Sequence, residues 1–192
     1  MDTAKARIEA AAAELLARRG YEGMGMKSLS DTSQAVYGSI YHHFPGGKEE
    51  IAVRAVHLAG EQISPLLEAV FAPDADTKGA LEAMFAFMAD RLAAGEWTLG
   101  CPVGTPALDG GATSEKVLQA CSEVLAGWER IIAAHLRAKG HTGARSDALA
   151  ATVLATYEGA TVMARAHRDA AVLQAAGRAM VELCTRVPDP GP

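Results

Sequence analysis

Residues able to do polar chemistry crowd into one short stretch of the chain. Tyr37, Ser39, Tyr41, His42 and His43 lie between Val36 and Phe44, and Lys48 follows just beyond Phe44-Pro45-Gly46-Gly47. Hydroxyls, imidazoles and an ammonium are donors suited to oxygen-rich anions such as phosphate. A metal is not expected here, because adjacent helical residues such as His42 and His43 do not face one another and no second ligand stands four residues on. His135 and His141 flank the expected end of another helix, where positive charge offsets the helix dipole. Cys101, Cys121 and Cys184 are too few and too far apart for a disulfide framework, and no Cys-x-x-Cys offers a zinc site. Buried single thiols are expected, a Cys101–Cys121 redox pair being the less common fate. The chain has no nucleophile elbow, Gly-rich phosphate loop or His-Glu-x-x-His, so neither an enzyme nor a cofactor is expected.

The elements that must position these residues are helices. Lys27–Ser33 and Val36–His42 read as two short helices, separated by too few residues for anything but a tight turn, so they must cross steeply. That is a helix-turn-helix layout, whose second helix enters a major groove by its N-terminal end. Gly38, without a side chain, permits close approach while Tyr37 and Ser39 face outward, and Leu29, Ala35 and Ile40 hold the pair together from behind. Tyr41 and His42 are placed to donate to phosphate oxygens, and Lys48 opens a helix whose free N–H groups favour anions. Before this pair, Ile8, Ala12, Leu15 and Leu16 recur at helical spacing from a Thr3 cap to a Gly20 stop, giving a first helix over about 4–19. After it, helices are expected at about 48–71, with a bend or break at Pro65, and at 77–94. Residues 97–111 are irregular apart from a short helix at 103–108, and three long helices follow at 114–139, 146–165 and 169–186. Without a period-two run or a 20–50-residue repeat, the fold is expected to be all-α with about nine helices.

Composition agrees with a folded helical chain. Its 192 residues are 49% hydrophobic and 21% charged, enough to bury a core and too apolar for disorder. The net charge is −5, yet seven basic and seven acidic residues balance over 1–55, so the whole excess of acid belongs to the remainder. The Ala-rich start is interrupted by Glu9, Glu14 and Arg18, which excludes a secretory apolar core, and no apolar run approaches the ~18 residues a bilayer needs. The expectation is a cytoplasmic chain without a membrane partner.

The run Tyr37-Gly38-Ser39-Ile40-Tyr41-His42-His43-Phe44-Pro45-Gly46-Gly47-Lys48, with Ile8, Ala12 and Leu15, Arg19-Gly20-Tyr21 and the Lys27–Leu29 stretch, resembles the tetracycline-repressor (TetR) family of bacterial transcription regulators over about residues 5–60. The resemblance implies a helix-turn-helix DNA-binding domain (1–47), a ligand-binding and dimerisation domain (48–187) and a flexible tail (188–192). It implies contacts to double-stranded operator DNA through Lys27, Tyr37, Gly38, Ser39, Tyr41, His42 and Lys48. A homodimeric repressor on a palindromic operator, released by a small hydrophobic or aromatic inducer, is the implied function. Gly100-Cys101-Pro102-Val103, Cys121 and Trp128 are similar to the subgroup holding lincomycin-resistance and flavonoid-sensing repressors. Three positions depart from the family pattern: Gln34 stands where Gly is usual in the turn, Val36 where Ser or Thr caps the second helix, and Tyr37 where Lys or Arg is common. A lost cap costs ~1 kcal/mol, so that helix is expected to fray when free and to order on DNA.

Two further sets come from the rest of the chain. Ala148, Ala151, Thr152, Ala155, Gly159 and Val162 form a small-residue stripe that lets another helix approach, with Val172, Ala176, Met180 and Leu183 as its match on the last helix. Two such pairs make a four-helix dimer interface. A ligand pocket is expected around Phe85, Met88, Trp97, Val103, Cys121, Leu125, Trp128 and Tyr157, with polar contributions from Thr105, Cys121 and Tyr157.

Overall fold

A computed structural model describes residues 3–110 and 113–186; the tail expected at 188–192 and Gly111 of the irregular segment lie outside the described residues. Among the described residues there are nine helices and no strand. They are α1 (Ala4–Gly23), α2 (Met26–Ser33), α3 (Tyr37–His43), α4 (Gly47–Val70), α5 (Thr77–Ala94), α6 (Gly104–Gly110), α7 (Glu115–Ala138), α8 (Gly143–His167) and α9 (Ala171–Thr185). The chain divides into two units, Met1–Ile63 with Gly100–Leu125, and Ser64–Leu99 with Ala126–Pro192, so the division falls inside α4 and inside α7.

In the first unit, the Thr3 hydroxyl accepts the Ala6 N–H at 3.2 Å and starts α1. Its apolar residues at three- and four-residue spacing, Ile8, Ala12, Leu15 and Leu16, are all buried. Burying each of the larger ones stabilises the fold by about 1.5–3 kcal/mol. The expected stop at Gly20 is a kink: Gly20 takes φ 71°, and one more turn, Tyr21 to Gly23, follows it. Leu29, Ala35 and Ile40 are buried behind α2 and α3 as the spacing predicts. α6 packs on α1, and the segment leading into α6 is also tied to α1, where the Gly100 N–H donates to the Ala17 carbonyl at 2.9 Å. The expected 103–108 helix lies at 104–110, its first N–H taken by the Cys101 sulfur at 3.2 Å. Pro106 falls in its first turn, where a missing donor costs nothing. α4 continues through Pro65, so of the bend or break expected there the break is corrected; the exposed proline withholds its own N–H from the ladder.

In the second unit, α9 packs on α5 and α8. Gly177 lets α9 come close to α5, since a Cβ there would lie 3.2 Å from the Phe85 side chain. Phe85 and Tyr157 meet edge to face at 5.5 Å between ring centroids. His135 sits in the last turn of α7, as its placement against the dipole predicts, but its ring is buried. Nδ1 lies 2.9 Å from the Ala72 carbonyl and Nε2 2.9 Å from the Thr77 hydroxyl. A carbonyl only accepts, so Nδ1 carries a proton, and the ring ties α7 to the segment that leads into α5. His141 likewise is buried and donates from Nε2 to the Cys184 carbonyl at 2.8 Å.

Candidate nucleic-acid interface

The turn between α2 and α3 is held by side chains bonding the backbone. The Ser30 hydroxyl donates to the Ala35 carbonyl at 2.7 Å, the Ala35 N–H donates to the Ser33 hydroxyl at 3.3 Å, and the Arg7 Nε donates to the Ser33 carbonyl at 3.3 Å. Gln34 takes the left-handed conformation, φ 55° and ψ 31°, and its side-chain amide donates to the Asp31 carbonyl at 2.7 Å. Glycine would adopt this region without strain, whereas a glutamine pays for its Cβ there. Val36 is the N-cap of α3 and makes no side-chain cap bond; its carbonyl accepts the Ile40 N–H at 3.1 Å, the first regular bond of the helix, and the Ser39 N–H at 2.9 Å, but its side chain offers no acceptor to the N–H groups of the first turn.

On the outer side of α3, Tyr37 is 47% and Tyr41 49% exposed, while the buried Ile40 anchors the opposite side. Gly38 and His42 are exposed and Ser39 half-buried. A Cβ on Gly38 would meet nothing within 4 Å, so the fold itself does not require glycine there. Lys27 is exposed on α2 and paired with Asp31 at 2.7 Å, a contact that pushes its ammonium above the usual lysine range. These groups can donate to phosphate oxygens and to base edges, the two contact types a groove-reading helix uses.

Lys48 belongs to the start of α4, not to α3. Its Nζ lies 4.4 Å from the Tyr21 ring centroid and 3.5 Å from the Glu22 carbonyl, so the ammonium is seated on the end of α1 as α4 begins. Before it, Gly47 takes φ 66°, and the Gly46 N–H donates to Glu50 Oε2 at 2.7 Å. The neighbouring Glu49 is held by Lys116 at 2.7 Å and by the Ser114 hydroxyl at 2.9 Å, which keep its carboxyl below the usual range. Burial, then the charges of Glu49 and Glu22, push the Tyr21 phenol up.

The other expected site residues fall in both units. Phe85, Met88, Trp128 and Tyr157 are buried in the second unit, with Trp97 half-buried at φ 61° after α5. Val103 and Cys121 are buried in the first unit and Leu125 is its last residue. The Trp128 indole N–H donates to the Ser64 hydroxyl at 3.2 Å. A cavity of about 550 Å³ in the second unit is lined by other residues, among them Ser64, Glu68, Phe71, Arg130, Ile131 and His135. Helical spacing does not single these out, because several lie at helix ends, away from the mid-helix apolar stripes. On α8, Ala148, Ala151, Thr152, Ala155, Gly159 and Val162 are all exposed, and nothing lies within 4 Å of a Cβ on Gly159. On α9, Leu183 is exposed, Val172 and Ala176 are half-buried, and Met180 is buried within the subunit. Among the described residues no three His, Cys, Asp or Glu gather to hold a metal ion, and no helix is long and apolar enough to cross a membrane.

Comparison with known proteins matches residues 8–55 to the family model described as bacterial regulatory proteins, tetR family. Residues 78–179 match the model of the transcriptional regulator LmrA/YxaF-like C-terminal domain. The HTH-type transcriptional regulator LmrA of Bacillus subtilis (strain 168) is 30% identical over 157 residues, covering 82% of this chain and 84% of that protein. A TetR transcriptional regulator from Legionella pneumophila has a crystal structure with a TM-score of 0.86 at 20% identity, covering 95% of this chain and 98% of that one. A cysteine mutant of the TetR family regulator CifR, solved in complex with 26-base-pair double-strand operator DNA, has a TM-score of 0.78 at 20% identity, covering 92% of this chain and 94% of that one.

Proposed function

Because the chain belongs to the TetR family of transcriptional regulators, with an LmrA/YxaF-like C-terminal domain, we propose that it is a cytoplasmic repressor that binds a palindromic operator as a homodimer and is released by a small hydrophobic ligand. The observation that carries the DNA part is the outer face of α3, where Tyr37 and Tyr41 are exposed and the packing around Gly38 does not call for a glycine, since a Cβ there would meet nothing within 4 Å. In this reading Tyr37, Gly38 and Ser39 meet base edges, while Lys27, Tyr41, His42 and Lys48 meet phosphates. Residues 1–47 are the DNA-binding part and 48–187 the ligand-binding and dimerisation part.

The dimer is supported by the α8 stripe, an exposed run of small and apolar residues that Met163, 49% exposed, extends. In this reading the ligand meets apolar and aromatic residues of the second unit, among them Phe85, Met88 and Tyr157, with one hydroxyl in the set. A ligand releases DNA only if it binds the DNA-incompetent dimer more tightly than the competent one. The test is a footprint on DNA from upstream of the protein's own gene. Protection of a near-palindrome with half-sites about 34–36 Å apart, or somewhat more, is expected. Binding without sequence preference, or with a flat salt dependence, would remove the operator reading.

A further inference from the structure

Asp109, near the end of α6, is 88 residues from Tyr21 in sequence, yet its Oδ1 accepts the Tyr21 N–H at 2.9 Å. Its Oδ2 accepts the Glu22 N–H at 3.0 Å. These are the first two N–H groups after the Gly20 kink, and a helical turn that restarts at a kink leaves such donors without intrahelical partners. The carboxylate takes the place an anion takes at a helix start. Gly20 makes this possible twice over: it supplies φ 71°, and a Cβ on it would lie 2.4 Å from Asp109 Oδ2.

The turn fixed in this way is the one on which Lys48 rests. The Tyr21 ring lies 4.4 Å from the ammonium and the Glu22 carbonyl accepts from it at 3.5 Å. The Glu22 side chain is in turn met by the Thr113 hydroxyl, so residues just after α6 hold the same turn from a second direction. Every one of these residues belongs to the first unit.

We propose that Asp109 is a positioning residue for operator binding: by plugging the two N–H groups after Gly20 it holds Tyr21 and Glu22 where they seat Lys48 for a phosphate. The proposal rests on the reading that Lys48 meets operator phosphate. It predicts that α6, which carries none of the groove-facing residues, sets the geometry of a DNA contact through a single carboxylate. Asp109→Asn keeps the shape of the side chain but turns an amide donor toward one of the two N–H groups.

Two measurements on the full chain test it. In the free protein, ring current from Tyr21 shifts the Lys48 side-chain protons upfield, and Asp109→Asn is expected to move them back toward ordinary lysine values while helical content is retained. In operator titrations over a salt series, Lys48→Ala is expected to lower the log–log slope by about 0.9 for each phosphate that is no longer neutralised, hence about 1.8 in a two-fold dimer. Asp109→Asn is expected to lower it by the same amount, and to add nothing in a Lys48→Ala background. If Asp109→Asn does not fold, the same measurements are made on Asp109→Glu, which keeps the charge but displaces it by a methylene and is expected to give an intermediate reduction. A wild-type slope and unmoved Lys48 protons in the Asp109 variant, beside a lowered slope in Lys48→Ala, overturn the proposal and leave the DNA reading intact. A wild-type slope in Lys48→Ala itself removes the phosphate contact and with it the role assigned to Asp109.

Discussion

A glycine inside a helix costs about 1 kcal/mol relative to alanine, and at Gly38 no neighbour exists within 4 Å to justify it. Gly38→Ala should therefore raise the unfolding free energy of the free protein by about 0.5–1 kcal/mol while weakening operator binding, because the new methyl stands where DNA must come close. Thermal unfolding and fluorescence anisotropy on the same variant read the two effects, and a stabilised variant with unchanged affinity would place the groove contact elsewhere on α3. The thiols give a second prediction. Burial, aided at Cys121 by the charge of Asp109, pushes the Cys121 and Cys184 thiols up to about 11 from an ordinary 9.0. Both should resist a small alkylating reagent at pH 7 in the native state and react at once in denaturant. The folded state holds these protons more tightly than the unfolded chain does, so the stabilisation is complete below pH 9 and is lost as pH rises through about 11. Denaturant midpoints should fall across that window, and fall less when both residues are replaced by alanine.

At the scale of the element, α3 is seven residues long and has a valine where a side-chain oxygen would normally close its first turn. Val36→Ser supplies that oxygen and should stabilise the free protein by about 0.5–1 kcal/mol. Amide exchange of Ser39 and Ile40 should slow with it, since the cap acts on the fraying of α3 in particular. Unchanged exchange there would mean that α3 is held by the packing of Ile40 alone. α1 gives the opposite case. Gly20 is both in the left-handed region and in contact with a carboxylate, so Gly20→Ala combines backbone strain with a clash and should cost upwards of ~2 kcal/mol. A small change in the thermal midpoint would show that the kink relaxes without penalty.

At the scale of the whole molecule, the acidic balance of −5 makes binding to DNA depend on where the donors are gathered. Dimerisation doubles the number of donors that one operator meets, and the exposed α8 stripe is the surface on which the proposed dimer depends. A charge at Gly159, where nothing within 4 Å would oppose a side chain of the free subunit, leaves the monomer fold intact and penalises only a second copy. Gly159→Glu should sediment as a monomer at micromolar concentration and lose operator binding at least tenfold. A dimeric Gly159→Glu protein would move the interface off α8.

Much of this molecule was legible in the amino-acid order. The all-α class, the nine described helices in their order, the tight turn before α3 and the outward face of Tyr37 follow from periodicity, caps and breakers, which act within a few residues of one another, whereas Ser39, expected to face outward beside it, is half-buried. The Thr3 cap and the burial of Leu29, Ala35 and Ile40 were local in the same sense. Other features join residues far apart. Glu49 meets Ser114 across 65 positions, Tyr21 meets Asp109 across 88 and Glu22 meets Thr113 across 91. No spacing rule names such pairs, since any exposed carboxylate has the same local pattern until packing selects its partner. So the sequence by itself determined which helices form and which two of them make the helix-turn-helix, through interactions that close within one or two turns. That Lys48 sits on the end of α1, and that a carboxylate from α6 holds that end in place, only the tertiary structure decided, because those contacts exist once α1, α4 and α6 have packed and not before.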